Sequence, residues 1–315
     1  MNGKITLCVI ISFFFTFTLL FSINASSLDP TPSLFNYQFF TQEFDPNKKI
    51  IFLLGSSNVG QLNVTKINEM VSSQHNDYEI FNLSYNADTP KIRFKSMEET
   101  ISLKPKYVLY GVSFLDFKHP TEKENIFDIK FSFAQLLPDN TIEKFNPKFN
   151  TVEKIKEAFV STGLFPPPRK IFSISNTPFF EYNEDSTKIM TEDELKRELP
   201  LSGVYASEIN LTDDHQEVQY FEKIISEFQK NNIKVVVFTT PVPNLYYNAL
   251  SDSVKDDFNK LLEKVSNDYD VEIYNFSNEF GDMDIYWDLI HVSYNEKSLV
   301  YSESVAKIIL KEIES

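Results

Sequence analysis

Cysteine is almost missing: Cys8 stands alone among 315 residues, so neither an intrachain disulfide nor a cysteine-based zinc site can be built. Basic residues are also scarce. Lys and Arg number 30 against 45 Asp and Glu, a net charge of −15, and a surface of that sign repels phosphate backbones and anionic headgroups. No nucleic-acid partner is expected. No internal repeat is visible, and there is no compositional sign of disorder or of collagen. With 42% apolar and 24% charged residues, the chain has the balance of a soluble globular protein. Its length allows one large domain or two.

The exception to that balance is at the start. Ile5 to Ile23 carries no charge over 19 residues and is preceded by Lys4; as a helix at about 1.5 Å per residue it reaches roughly 28 Å, enough to cross a bilayer. The lone positive flank predicts a cytoplasmic N-terminus and an exported remainder. Residues 1–28 are expected to be a signal peptide or an N-terminal membrane anchor, with 29–48 a linker. Ala25 offers a small residue for cleavage, whereas the length of the run leans toward an anchor. In an exported chain the N-x-S/T triplets at Asn63, Asn210 and Asn275 are possible glycan acceptors that chance alone also supplies.

From Lys49 onward, apolar strands alternate with polar turns and amphipathic helices, the order of an α/β protein with a parallel sheet. Strands are expected at Ile50–Leu54, Tyr78–Leu83, Tyr107–Tyr110, Ile233–Phe238 and Val271–Tyr274. Helices are expected at Val59–Ser73, Lys91–Leu103, Val218–Lys230, Ser253–Val265 and Ser298–Ile313. The predicted fold is a three-layer α/β/α sandwich spanning 49–315. Its five-stranded parallel sheet has the flavodoxin-like order, and a long insertion at about 117–212 follows strand three.

Ligands of such sheets bind beyond the carboxyl ends of the strands. Gly55-Ser56-Ser57 follows strand one, Ser84 to Thr89 follows strand two, Gly111-Val112-Ser113 follows strand three, and Asp288-Leu289-Ile290-His291 follows strand five. A serine hydroxyl needs a base to take its proton and a third group to orient that base. Ser57, His291 and Asp288 fit those roles, and a helix opening at Ser57 would present backbone N–H groups and its dipole to an oxyanion. His75, His119 and His215 lack such company and are read as solvated. Asp213, Asp214 and His215 read as an acidic first helical turn capped by Thr212 rather than as a metal site.

The strand ending in Gly55-Ser56-Ser57, the segment Asn82 to Thr89 and the late Asp288-x-x-His291 resemble the first, second and fifth sequence blocks of the SGNH/GDSL hydrolase superfamily. The branch with Gly-Ser-Ser in place of Gly-Asp-Ser is the most similar, and it includes extracytoplasmic acyl-transfer proteins of the DltD and AlgJ types. The resemblance implies Ser57 as nucleophile, His291 as base and Asp288 as its orienting acid, with no metal and no organic cofactor. Its oxyanion hole would draw on Ser57, Ser84 and Ser113, although Ser84 stands where the family has glycine and Ser113 where it has asparagine. The glycine usual after the last block is absent, with Asn295 near its place. The implied function is an extracytoplasmic serine esterase or O-acyltransferase acting on acylated cell-envelope carbohydrate, with a membrane-bound acyl-transfer partner possible. The alternative is a non-catalytic envelope module that binds glycan or a partner protein.

Overall fold

Strand β1 (Lys49–Leu54) explains the layering by itself: Ile50, Phe52 and Leu54 enter one apolar cluster, while Ile51 and Leu53 enter another on the opposite face. A strand buried on both faces reads as a continuous apolar run and needs helices above and below it. The computed structural model describes residues 39–40, 44–117, 176–180, 185–200 and 215–315. The leader at 1–28, Asn210, His119, Thr212, Asp213 and Asp214 lie outside these residues, as does most of the predicted insertion. Among the described residues no helix is long and apolar enough to cross a membrane.

The remaining strands are β2 (Tyr78–Asn82), β3 (Tyr107–Val112), β4 (Lys234–Thr239) and β5 (Glu272–Tyr274). All pair in parallel in the order β2-β1-β3-β4-β5. From β1 the chain steps outward to β2 and then crosses to β3 on the other side, so the crevice of a topological switch point opens between the ends of β1 and β3. Helices α1 (Ser57–Gly60) and α2 (Val64–Ser72) follow β1, and α3 (Pro90–Phe94) and α4 (Met97–Ser102) follow β2. Later come α5 (Glu192–Glu198), α6 (Gln216–Lys230), α7 (Asn244–Ala249), α8 (Asp252–Tyr269) and α9 (Leu299–Glu314). Helix α6 buries Val218, Phe221, Ile224, Ile225 and Phe228 on one stripe. With α8 it covers the face of Phe52, whereas α2 and α9 cover that of Leu53.

Two expected helices are each broken in two. The stretch 59–73 is interrupted because Asn63 leaves the helix to cap α2, its side chain accepting from Lys66 N–H, while its own N–H donates to Ser302 Oγ at 2.9 Å. The stretch 91–103 breaks where the Ser96 hydroxyl donates to the Arg93 carbonyl at 3.1 Å, a local bond that competes with the helical ladder. Strand β3 in turn runs on through Gly111 to Val112 instead of ending at Tyr110. A Cβ on Gly111 would collide with Val59 and Phe238, so glycine is there for close packing of α1 and β4, not for a turn.

His215 departs as well: it is 1% exposed where a solvated ring was expected. Helix α6 starts at Gln216 with His215 at its N-cap, and Glu217 of its first turn accepts the Lys91 N–H of α3 at 2.8 Å. His75, by contrast, keeps its side chain 28% exposed.

Candidate active site

Ser57 sits two residues past Gly55, whose φ of +144° suits glycine alone among the residues of this turn. A Cβ on Gly55 would also lie 2.5 Å from the Gly111 carbonyl. The tight turn therefore presses the start of α1 against the end of β3. Because α1 is a single turn, the dipole expected of a long helix is absent; what Ser57 offers is its own first-turn N–H, which has no intrahelical partner.

Asp288 and His291 lie on a narrow hairpin closed by an antiparallel bridge between Tyr286 and Val292 and by the Trp287 N–H donating to the His291 carbonyl at 3.1 Å. Asp288 Oδ1 accepts the N–H groups of Ile290 at 2.8 Å and His291 at 2.7 Å, leaving Oδ2 to meet His291 Nδ1 at 2.7 Å. His291 Nε2 then lies 2.8 Å from Ser57 Oγ. Ser57, His291 and Asp288, 234 residues apart at the extremes of sequence separation in the first pair, are thus joined in one hydrogen-bond chain. With Nδ1–H donating to the carboxylate, Nε2 is an acceptor and can take the Ser57 proton.

Ser84 and Ser113 are placed differently from the expectation. The Ser84 N–H donates to Asn82 Oδ1 at 3.0 Å. Ser113 spends both donors on Asp116 Oδ2, its N–H at 2.6 Å and its hydroxyl at 3.0 Å. The cause is Asp116 itself, a buried carboxylate three residues on that needs donors. Burial pushes Asp116 up to about 7 against these hydrogen bonds, and the charge of Asp88 adds to the rise.

Sequence reasoning missed three further parts of the site. Trp287 stacks on the His291 ring at 5.2 Å and 26°; being the single tryptophan and directly preceding Asp288 was a usable signal. Arg93, 1% exposed, donates to Asp88 Oδ2 through Nε at 2.8 Å and to the Leu83 carbonyl at 2.7 Å, with its guanidinium 4.6 Å from the Tyr85 ring centre. It clamps the loop after β2. The third is the described part of the insertion. Asn176 pairs with the open edge of β2, its carbonyl accepting the Asn82 N–H at 2.7 Å and its amide donating to Ile80 O at 2.8 Å. Ser186 O accepts the Tyr294 N–H at 2.7 Å, just past His291.

A pH-dependent outcome follows for Asp116. Its folded-state value lies above that of an unfolded carboxylate, so the folded protein binds the proton more tightly and loses stability as pH rises from about 4 through about 7. Asp116→Asn cannot titrate. Thermal melts from pH 5 to pH 8 should therefore show the variant gaining on the parent by a few degrees as pH rises; a constant difference would mean that Asp116 does not titrate in this range.

No family model matches the chain, and no curated relative matches it. Among solved structures, it is similar to the esterase EstA from Pseudoalteromonas sp. at 10% identity and a TM-score of 0.44, over 85% of this chain and 100% of that one. A lipase/acylhydrolase from Enterococcus faecalis matches at 12% and 0.44, over 84% and 95%. An acetylxylan esterase from Geobacillus stearothermophilus matches at 8% and 0.43, again over 84% and 95%. Likenesses this distant decide nothing about the chemistry of this chain, which rests on its own geometry.

Proposed function

We propose that the protein is a serine esterase or O-acyltransferase working through an acyl-Ser57 intermediate. The observation that carries the reading is the unbroken chain from Ser57 Oγ to His291 Nε2 and from His291 Nδ1 to Asp288 Oδ2. Ser57 Oγ attacks the ester carbonyl carbon as its proton passes to His291 Nε2. Asp288 holds the imidazolium, and the Ser57 N–H donates to the oxyanion. Collapse expels the alcohol, which leaves with the proton from His291. Water or a sugar hydroxyl then attacks the acyl-enzyme, giving its proton to His291, and Ser57 is regenerated.

The resemblance to SGNH/GDSL hydrolases, with its Gly-Ser-Ser branch, supports acylated cell-envelope carbohydrate as the substrate class. The apolar run at residues 5–23 supports export, with the catalytic part outside the membrane and within reach of a membrane-bound acyl-transfer partner. Neither metal nor organic cofactor has a part in these steps.

One observation favours the second reading, a non-catalytic module: the Ser84 N–H and both Ser113 donors are engaged within the protein. Loss of one oxyanion donor costs on the order of 10²–10³ in rate, which slows an enzyme without abolishing it. A fluorophosphonate probe separates the two readings. Labelling of the full chain that disappears in Ser57→Ala is the expected result; no labelling of the parent protein would leave the module.

A further inference from the structure

The hairpin that carries His291 also lays an aromatic ring on it, and the contacts that reach the imidazole restrain different motions. The bond from Nδ1 to Asp288 Oδ2, 2.7 Å long, holds one edge of the ring. It leaves the ring free to rock about that edge, and such a rotation carries Nε2 away from Ser57 Oγ, 2.8 Å distant. Trp287 holds the face. Its indole lies 5.2 Å from the imidazole, centre to centre, with the two planes 26° apart. The hairpin sets up this stack through the Trp287 N–H, which donates to the His291 carbonyl at 3.1 Å, and through the bridge between Tyr286 and Val292. Among the described residues, Ser57 of α1 and Asp288 and Trp287 of the hairpin are the groups that hydrogen-bond, pair or stack with the imidazole, and Asp288 is the charged one of the three.

The choice of an indole has a cost. Its Nε1–H is buried with no hydrogen-bond partner among the described residues, whereas buried donors are nearly always paired and each exception asks for an explanation. Leucine or phenylalanine would fill apolar space with no donor left over. What tryptophan adds at this position is therefore its face, and indole is the strongest aromatic partner for a cation. His291 becomes a cation twice in each turnover, on taking the Ser57 proton and again on taking that of water or the accepting hydroxyl. The neutral imidazole of the resting protein is held less tightly. An interaction that strengthens as charge develops speeds the chemical step, while one equally strong in the ground state only tightens binding.

We propose that Trp287 is a positioning residue for the catalytic base: its indole keeps the His291 ring turned with Nε2 toward Ser57 and stabilises the imidazolium formed in both halves of the reaction. The assignment deepens the acyl-Ser57 reading and rests on it for its role.

The protein carries its own probe of this contact. Trp287 is the only tryptophan of the chain, so indole emission reports on this ring alone, and an imidazolium in contact with an indole quenches it. Emission of the full chain followed from pH 5 to pH 8 should rise along the acid limb of kcat/KM, which reports the base of the free enzyme. The rise should vanish in His291→Gln and persist in Asp116→Asn, whose native carboxyl, at about 7, titrates in the same range. On p-nitrophenyl acetate, Trp287→Leu should lose about tenfold in kcat and Trp287→Phe, which keeps a weaker aromatic face, about threefold. KM should change by less than about twofold in both, because acylation and deacylation slow together.

Emission that does not follow the acid limb, or that still changes with pH in His291→Gln, would remove the stack and overturn the proposal. A loss carried by KM alone would make the indole a wall of the substrate cleft instead. Full kcat in Trp287→Phe also overturns it, and this variant decides the matter if Trp287→Leu fails to fold. Emission that changes with pH in the parent and not in His291→Gln, in a protein that turns over no ester, would sink the acyl-Ser57 reading and the role of the stack with it. Ser57-dependent turnover untouched by either Trp287 substitution would sink the positioning role and keep the reading.

Discussion

Ser57→Ala and His291→Ala are each expected to abolish nearly all turnover of a small activated ester, by a factor on the order of 10³ to 10⁶, and the double variant to lose little more. The reason is that the two residues form a single device. Ser57 Oγ lies 2.8 Å from His291 Nε2, so without the hydroxyl the imidazole has no nucleophile to activate, and without the imidazole the hydroxyl keeps its proton. Whatever rate remains comes from binding and from oxyanion donors, which both single variants retain. Asp288→Asn should fall by a factor on the order of 10⁴ with the fold preserved. An amide can still accept the Ile290 and His291 N–H groups, but it can offer an NH₂ to Nδ1 and so favour the tautomer with its proton on Nε2. With that proton on Nε2, the imidazole can no longer accept the Ser57 proton. Steady-state kinetics on p-nitrophenyl acetate measures all four variants. Additive losses in the double variant, or full activity in Ser57→Ala, would remove the acyl-Ser57 mechanism.

The places where sequence pattern succeeded and failed have distinct physical causes. Strands β1 and β4 were legible because a strand buried on both faces is a continuous apolar run, and Ser57, Asp288 and His291 were legible because each follows a strand end with turn residues around it. The breaks within 59–73 and 91–103 were not legible from periodicity. They depend on side-chain bonds, Asn63 to α2 and Ser96 to Arg93, that leave the apolar spacing unchanged. The fate of Ser113 was hidden for a similar reason: its hydroxyl has the right position in the chain for an oxyanion, but Asp116 three residues later competes for it, and only burial of that carboxylate decides the contest. Arg93 gave no signal at all. A charged residue at the start of a helix ordinarily reads as solvated, and its 1% exposure follows from Asp88 and Leu83 awaiting it beneath the loop.

That buried pair leads to the largest expected effect on stability. Asp88 and Arg93 are 0% and 2% exposed in their side chains, and removing one partner of such a pair typically costs about 3–5 kcal/mol, because the other is left charged and uncompensated. At about 2–4 °C per kcal/mol for a protein of roughly this size or smaller, the melting temperature should fall by on the order of 10 °C. The two single variants should differ in their pH dependence. Burial raises Asp88 to about 6, and Arg93 restrains that rise; burial works to lower Arg93, but the facing Asp88 leaves it above its ordinary value. The carboxyl can escape its charge, whereas the guanidinium cannot. In Asp88→Asn the stranded Arg93 has no relief and nothing titrates at this position; because the parent loses stability as pH rises from about 4 through about 6, the penalty against the parent shrinks over that range and is level above about pH 7. In Arg93→Met the stranded Asp88 loses the cation that held its value down, so it takes a proton near neutrality and its penalty is modest there. That penalty keeps growing past pH 7, up to the higher value at which the lone carboxyl ionises. The double variant, with no buried charge, should recover most of the loss. Thermal melts of the four proteins from pH 5 to pH 9 measure this, and parallel curves for the two single variants would mean that Asp88 does not titrate in the folded state.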